Sequence, residues 1–185
     1  MHSFKHHFEP LRPNRANGGY EKFEFTHGIN SVCVYNISNL EFVKEIAVGE
    51  RPDCHATTVD NRFLYIACKE GLYCISQESL EVVKVLETGH VYGTNMLPDG
   101  DTMLLHDAYG GIFVIKNVCN PEKAYIYKHI QVLPWNNKLE TLGGKGDFLC
   151  NYRYYLCNGW MDSSMYLIDL KDDFSFSIFI EKTPD

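Results

Sequence analysis

The stretch LEVVKVLETG, residues 80–89, nearly repeats LEFVKEIAVG, residues 40–49. In both copies a Leu-Glu pair leads into mixed apolar and polar residues, and a Gly closes the phrase. Self-similarity at a fixed spacing of about 20 to 50 residues is the signature of a repeat architecture. The fold of this chain therefore has to be sought first among repeat proteins.

Each copy of the phrase follows a short apolar run, and runs of the same kind recur further along the chain. The four runs are VYNIS (34–38), LYCIS (72–76), IFVIK (112–116) and MYLID (165–169). A turn and a second apolar run precede the last three, in VDNRFLYIAC (59–68), PDGDTMLLHD (98–107) and CNYRYYLCNG (150–159). Asp-Asn at 60/61 and Asp-Gly at 99/100 favour tight hairpins, because these residues tolerate positive φ.

One complete unit is predicted to hold four strands. They are an entry strand HATTV (55–59), then RFLYIA (62–67), GLYCIS (71–76) and EVVKVL (81–86). In the outer strand we expect Val82 and Lys84 on one face and Val83 and Val85 on the other. A sheet that is apolar on both faces in its middle packs between like neighbours. Four-stranded units of about 40 residues are typical of β-propeller blades.

Residues 48–89 resemble the YVTN type of propeller repeat, which is WD-repeat-like. The shared pattern is a Pro in the entry loop, an Asp-Gly-like turn, an apolar-Tyr-apolar strand and a Gly after the outer strand. The resemblance implies an all-β fold, a β-propeller built of four-stranded antiparallel blades. It places the blades at about 22–46, 55–86, 93–130 and 145–180, between an irregular N-terminal extension (1–21) and a C-terminal tail (181–185).

The count amounts to three and a half to four blades, because the first blade lacks a convincing innermost strand. Closed rings have about 4 to 8 blades. We therefore expect an incomplete arc that closes by self-association, or a fragment of a longer propeller, rather than a compact four-bladed ring. The spacing of the middle strand rises from 40 residues to 53 before the last blade. Residues 134–137 (PWNN) are interpreted as an inserted loop there.

Ligands of propellers usually bind at the rim of the central channel, on the loops that enter the innermost strands. Aligned units place these polar residues at that rim: Asp53, His55, His90, Tyr92, Asn95, Lys145 and Asp147. Asp53, His55 and His90 together make a candidate site for a divalent metal, since neutral imidazole binds metals and accepts protons near pH 7. A histidine that only hydrogen-bonds a neighbouring loop is the competing interpretation. The sequence spacing of these three residues matches no known metal-binding motif, and no cofactor is predicted.

A second polar group lies between the second and third strands of the units. It comprises Lys69, Glu70, His106, Asp107 and residues 158–162. His106 and Asp107 are not predicted to form a catalytic pair, because adjacent strand residues point to opposite faces. The segment GGKGD (143–147) leads into a strand and lacks the P-loop pattern, and the chain has no G-x-S-x-G motif. Motifs therefore give nucleophilic catalysis no support.

Charge and composition exclude several classes of partner. The 185 residues carry 17 Lys and Arg against 24 Asp and Glu, a net charge of −7, with no basic cluster, so we expect no nucleic-acid partner. No stretch approaches the ~20 apolar residues that span a bilayer, so no membrane partner is expected either. Seven cysteines, an odd number without a C-x-x-C pair, favour buried thiols in a reducing compartment. The chain is accordingly expected to be cytoplasmic.

Two functions remain open at this point. The favoured one is a non-catalytic binding scaffold, whose loop face takes a protein or a small-molecule ligand. The alternative, which the resemblance also implies, is a propeller enzyme of the lactonase, lyase or quinoprotein-like kind, with a metal or cofactor at the channel rim. Bound metal in the purified protein separates the two.

Overall fold

The structure of the chain is a computed structural model that describes residues 23–133, 142, 146–159 and 164–180. The predicted N-terminal extension (1–21), C-terminal tail (181–185) and inserted loop (134–137) lie outside the described residues. The strands in chain order are β1 (Phe23–His27), β2 (Ser31–Asn36), β3 (Phe42–Ala47), β4 (His55–Thr57), β5 (Phe63–Ala67), β6 (Leu72–Ser76), β7 (Glu81–Leu86), β8 (Val91–Met96), β9 (Thr102–Asp107), β10 (Gly111–Lys116), β11 (Tyr125–Gln131), β12 (Asp147–Leu149), β13 (Tyr154–Asn158), β14 (Met165–Asp169) and β15 (Ser175–Ile180).

These strands form four antiparallel sheets, and within each sheet every strand is paired with the strand that precedes or follows it in the sequence. Sheet 1 contains β1–β3, sheet 2 contains β4–β7, sheet 3 contains β8–β11 and sheet 4 contains β12–β15. A short 3-10 helix, Pro121–Lys123, precedes β11. In the part of the chain that the structure describes, no helix is long and apolar enough to cross a bilayer. The predicted all-β fold of four-stranded antiparallel units is confirmed, with three strands described in sheet 1.

The predicted hairpin turns owe their geometry to residues that accept a left-handed backbone. Asn61 has a φ of 54° and Gly100 a φ of 71°. The Asp60 carboxylate accepts hydrogen bonds from Thr58 Oγ1 at 2.6 Å and from the Arg62 amide at 3.1 Å, and thereby closes the first of these turns. An Asx-type turn of this kind reverses the chain without further packing.

The core lies between consecutive sheets. Three apolar clusters fill the spaces between sheets 1 and 2, sheets 2 and 3, and sheets 3 and 4. All six residues of β9 are buried, whereas in the first four residues of β2 and of β13 half-buried and buried residues alternate. Among the described residues no apolar cluster joins sheet 4 to sheet 1. The series of sheets is therefore open as described.

A β-bulge changes the predicted faces of the outer strand. In sheet 2 Ile75 pairs with Val82 and Cys74 pairs with Lys84, so that Val83 is the extra residue. Residues opposite each other in an antiparallel pair share a face, and a bulge shifts the alternation by one. Val82 and Lys84 therefore lie on opposite faces, and the prediction that they share one was wrong. Strict alternation, on which that prediction relied, takes no account of bulges.

Candidate functional site

The loops that enter the first strand of a sheet and the turns that join its second and third strands lie at one edge. This follows from antiparallel pairing, because a strand that leaves an edge is followed by one that returns to it. We call residues 48–54, 68–71, 87–90 and 108–110 the loop edge. It brings Asp53 and His90 of the first predicted polar group to the same edge as Lys69 and Glu70 of the second.

Backbone hydrogen bonds fasten these segments to one another. The Lys69 amide donates to the Glu50 carbonyl at 2.8 Å, and the Ala108 amide donates to the His90 carbonyl at 2.9 Å. Gly49 allows this close approach, because a Cβ there would lie 2.9 Å from Cys68 Cβ and 2.8 Å from the Tyr73 ring. The loop edge is thus a connected surface that the sheets hold in place.

Charged side chains of both signs meet on this surface. Lys69 Nζ lies 2.7 Å from Glu50 Oε2, and the Glu50 amide donates to Glu70 Oε2 at 2.8 Å. The hydrogen bond and the charge of Lys69 lower the pKa of the Glu50 carboxyl, and those of Glu50 raise the pKa of Lys69. All three side chains are exposed, so water competes with the ion pair.

His90 is the titratable group at the centre of these charges. Burial lowers its pKa, and the positive charge of Arg51 acts in the same direction, while Asp53 opposes both. The imidazole is therefore biased towards its neutral form near pH 7, in which it accepts a hydrogen bond or binds a metal. The negative charge of Asp53 reaches His90, so the two groups interact electrostatically.

His55 has a neighbour that sequence reasoning missed. Its Nδ1 lies 3.2 Å from Nε2 of His27, at the end of β1, and the two rings meet edge to face at 5.3 Å. His55 also lines a cavity of about 250 Å³ between sheets 1 and 2, together with Phe23, Glu24, Phe25, Ala56, Thr57, Leu64 and Gln77. His27 aligns with the apolar Ala67 of the next unit, so the repeat pattern gave no signal for it.

Tyr92 of sheet 3 contacts residues of the neighbouring sheets. Its hydroxyl donates to the Leu142 carbonyl at 2.6 Å, and its own carbonyl accepts a hydrogen bond from the Cys54 thiol. Its ring meets that of the fully buried His106, whose Nε2 lies 2.9 Å from the Tyr155 hydroxyl. Burial raises the pKa of Tyr155 and keeps this hydroxyl protonated. Tyr92 and His106 thus belong to the contact between sheets 3 and 4.

Asp107 and the adjacent His106 contact different groups. Its Oδ2 lies 2.6 Å from Nε2 of His129 on β11, and its Oδ1 accepts the amides of Tyr109 and Gly111 at 2.8 and 2.7 Å. The two adjacent residues serve separate contacts, as expected for a strand. Asp107 orders the β9–β10 turn and holds it against the outer strand.

The remaining predicted residues are not gathered at the loop edge, since Asn95 is the fifth of the six residues by which β8 runs away from it. Asp147 is exposed at the start of β12, and Lys145 lies outside the described residues. Asn95 is on β8, where its Nδ2 and the Thr94 hydroxyl are buried without a hydrogen-bond partner among the described residues. Within the described ranges no three His, Cys, Asp or Glu side chains are grouped so that they could hold a metal ion.

Comparisons with known proteins concern the fold. No family model and no curated protein sequence matches this chain. Among solved structures it is similar to hydrazine synthase from Kuenenia stuttgartiensis, with a TM-score of 0.68 and 16% identity over 86% of this chain and 51% of that one. It is also similar to the dihydro-heme d1 dehydrogenase NirN in complex with DHE, with a TM-score of 0.63 and 18% identity over 84% and 34%. A third match is the β-propeller domain of Cps50 (Swd1) from Myceliophteria thermophila, with a TM-score of 0.63 and 11% identity over 84% and 55%.

These similarities show a β-propeller fold for this chain. Sequence identities of 11 to 18% carry no statement about its chemistry. The chain spans about a third to a half of the length of the structures it matches.

Proposed function

We propose that this chain is a β-propeller binding module whose loop edge takes up a protein or a small polar ligand. The observation that carries the proposal is the fastening of loops from neighbouring sheets into one surface with exposed Glu50, Arg51, Lys69 and Glu70. Binding residues are concentrated on loops that a rigid scaffold positions. The surface satisfies this condition, because the sheets beneath it are densely packed.

The charge pattern indicates which partners suit this surface. Acidic and basic side chains alternate over short distances, as in the Glu50–Lys69 pair. A surface of mixed sign matches polar groups of both signs, whereas a phosphate backbone needs concentrated positive charge. A protein surface or a zwitterionic small molecule is therefore the proposed ligand class, and neither nucleic acid nor a membrane is included.

The repeat itself is assigned in this proposal to the YVTN or WD-repeat-like type. The turn at Asp60-Asn61 and the buried Tyr65 of β5 support the assignment, since both occupy positions that the repeat pattern requires. The proposed location is the cytoplasm. None of the seven cysteines is joined in a disulfide, and burial raises the pKa of Cys74 and of Cys157 to about 12, which suits inert structural thiols.

Site-specific photo-crosslinking in cells tests the binding proposal. A photoreactive residue at Arg51, on the loop edge, is compared with one at Glu78, an exposed residue in the turn at the opposite edge. We expect a defined crosslinked partner from position 51 and none from position 78. The charge reversal Lys69→Glu, in a chain that still folds, is expected to weaken binding of that purified partner at least tenfold. Equal crosslinking from both edges, or none from position 51, contradicts the proposal.

A propeller enzyme of the lactonase, lyase or quinoprotein-like kind is the second candidate. It is favoured by the names of two structural neighbours, a synthase and a dehydrogenase, and by the approach of His27 to His55. In this version Asp53, His55 and His90 orient a cofactor, or move together to hold a divalent metal, since as described their side chains are not grouped for one.

Calorimetric titration with Zn²⁺ and with Mn²⁺ separates the two candidates. The enzyme version predicts stoichiometric binding that His55→Ala and His90→Ala each weaken at least tenfold, and that the control Glu78→Ala leaves unchanged. Absence of stoichiometric binding of both ions removes the metalloenzyme candidate and leaves the binding module.

A further inference from the structure

Each of sheets 2, 3 and 4 places one side chain, from the turn before its outer strand, against the preceding sheet. These residues are Leu80 in sheet 2, Ala124 in sheet 3 and Phe174 in sheet 4, with exposed fractions of 8%, 5% and 7%. Leu80 joins the apolar cluster of sheet 1, and Phe174 joins that of sheet 3. We call the residue at this position the plug of its sheet.

Leu40 is the plug of sheet 1, and its side chain is 72% exposed. Its backbone matches that of two buried plugs, with a φ of 57° against 54° for Leu80 and 56° for Phe174, whereas Ala124 follows the 3-10 helix and has a φ of −62°. The exposure therefore does not come from a different turn. Beside it Phe42 is 57% exposed, and its ring meets that of Tyr35 at 5.9 Å on the same face. This face of sheet 1 has the form of an inter-sheet contact.

The surface that would receive Leu40 is the face of sheet 4 that points away from sheet 3, which we call its far face. Tyr155 and Ile168 pack against sheet 3, so their neighbours along each strand point the other way. The register pairs Leu156 with Leu167 and Leu149 with Tyr154 on that far face. All four are half-buried, whereas residues on the corresponding faces of sheets 2 and 3, among them Leu72 and Ile112, are fully buried.

We propose that these two faces pack together between two copies of the chain, so that Leu40 of each copy is buried on sheet 4 of the other. The contact reproduces the one that Leu80 and Phe174 make inside the chain. Because it joins two different faces, it is head-to-tail and has to close into a ring or grow without limit. Two copies supply eight sheets, which is within the range of about 4 to 8 blades for closed propellers, and three copies exceed it.

The structure also argues against closure within one copy. A four-sheet ring would bring sheet 1 onto sheet 4 of the same chain and would bury Leu40 there. Leu40 is instead the most exposed of the four plugs, and the described residues include no core between sheets 4 and 1. This proposal is independent of the ligand proposed for the loop edge.

The proposal is tested by the mass of the 185-residue chain in solution. Light scattering and sedimentation measure this mass at micromolar concentration. We expect a particle of twice 21.3 kDa. Leu40→Asp and Leu167→Asp are each expected to yield monomers. Ile29→Asp, at an exposed apolar residue away from both faces, is the matched control and is expected to remain dimeric.

Mixing the two monomeric variants distinguishes head-to-tail pairing from other dimers. Leu40 of one variant and the sheet 4 face of the other are both intact, so one of the two contacts re-forms and a heterodimer is expected. Circular dichroism verifies that each variant folds, and Leu40→Ala, which is milder, is expected to raise the dissociation constant at least tenfold. Three results would overturn the proposal. They are a monomeric parent chain, a dimer that Leu40→Asp leaves intact, and a dimer that Leu40→Asp abolishes but Leu167→Asp does not. Particles that keep growing with concentration overturn the closed ring.

Discussion

At the scale of single residues, Asp107 has the clearest structural role. Burial by itself raises the pKa of its carboxyl, but hydrogen bonds from His129 and from the amides of Gly111 and Tyr109 outweigh burial and leave the pKa below its usual value. A carboxyl with a lowered pKa in the folded state stabilises the fold above its unfolded pKa of about 3.9. That contribution is lost as the pH falls through the lower, folded pKa.

Asp107→Asn is therefore expected to lower the free energy of unfolding at pH 7 by about 1–3 kcal/mol, because the buried turn and His129 lose a charged acceptor. Below roughly pH 4 the difference from the parent chain should shrink, since the parent carboxyl is then being protonated too. Urea unfolding monitored by circular dichroism at several pH values measures both effects. The control Asp53→Asn alters an exposed carboxyl and should change stability little. A constant difference down to pH 2 would contradict the assignment.

At the scale of elements, the turn before each outer strand is the unit that joins sheets. Leu80 and Leu40 occupy equivalent positions in the phrase that repeats, with nearly the same backbone conformation. One is buried against the preceding sheet and the other is exposed. The pair therefore offers a matched comparison of the same substitution in two environments.

Leu80→Ala is expected to lower the free energy of unfolding by about 2–5 kcal/mol, because it leaves a cavity between sheets 1 and 2. Leu40→Ala should change it by less than about 0.5 kcal/mol under dilute conditions in which the chain is monomeric. Urea denaturation of both variants at low protein concentration provides the comparison. Equal losses at the two positions would show that Leu40 is already buried within one chain.

At the scale of the whole molecule, stability should be highest in the middle of the series of sheets. All six residues of β9 and four of the five residues of β5 are buried, since both strands have a sheet on either side. The outer strands β3 and β15 are mostly exposed where their side chains are described. In stacked repeats each unit is stabilised by its nearest neighbours, so units at the ends of the stack lose one contribution.

Amide hydrogen exchange followed by mass spectrometry should therefore be slowest in β5 and β9 and fastest in β3 and β15. Peptides from β2 and β13 are expected to lie between these extremes in dilute protein. They should gain protection as the concentration rises if their exposed faces become buried. Uniform exchange in all strands would show that the chain opens only as a whole.

Much of the fold followed from local patterns. Asp60-Asn61 and Asp99-Gly100 specify hairpins through their own backbone preferences, so these turns could be read without knowledge of the rest of the chain. The bulge at Val83 could not be predicted in this way, because a bulge depends on how two strands pair. The charges around His90 could not be predicted either, because Arg51, Asp53, Lys69 and Glu70 come from other loops.

The sequence by itself determined the all-β fold and the repeating sheets of this protein, because a period of 40 residues and the alternation of apolar residues are local and recur. Only the tertiary structure decided that His27 approaches His55, that Asp107 is held by His129, and that Leu80 is buried while Leu40 is exposed. These outcomes depend on which sheet lies next to each residue. The two phrases are similar in sequence and nearly equal in backbone conformation at Leu40 and Leu80 but have different neighbours in the fold, so the local pattern does not distinguish them.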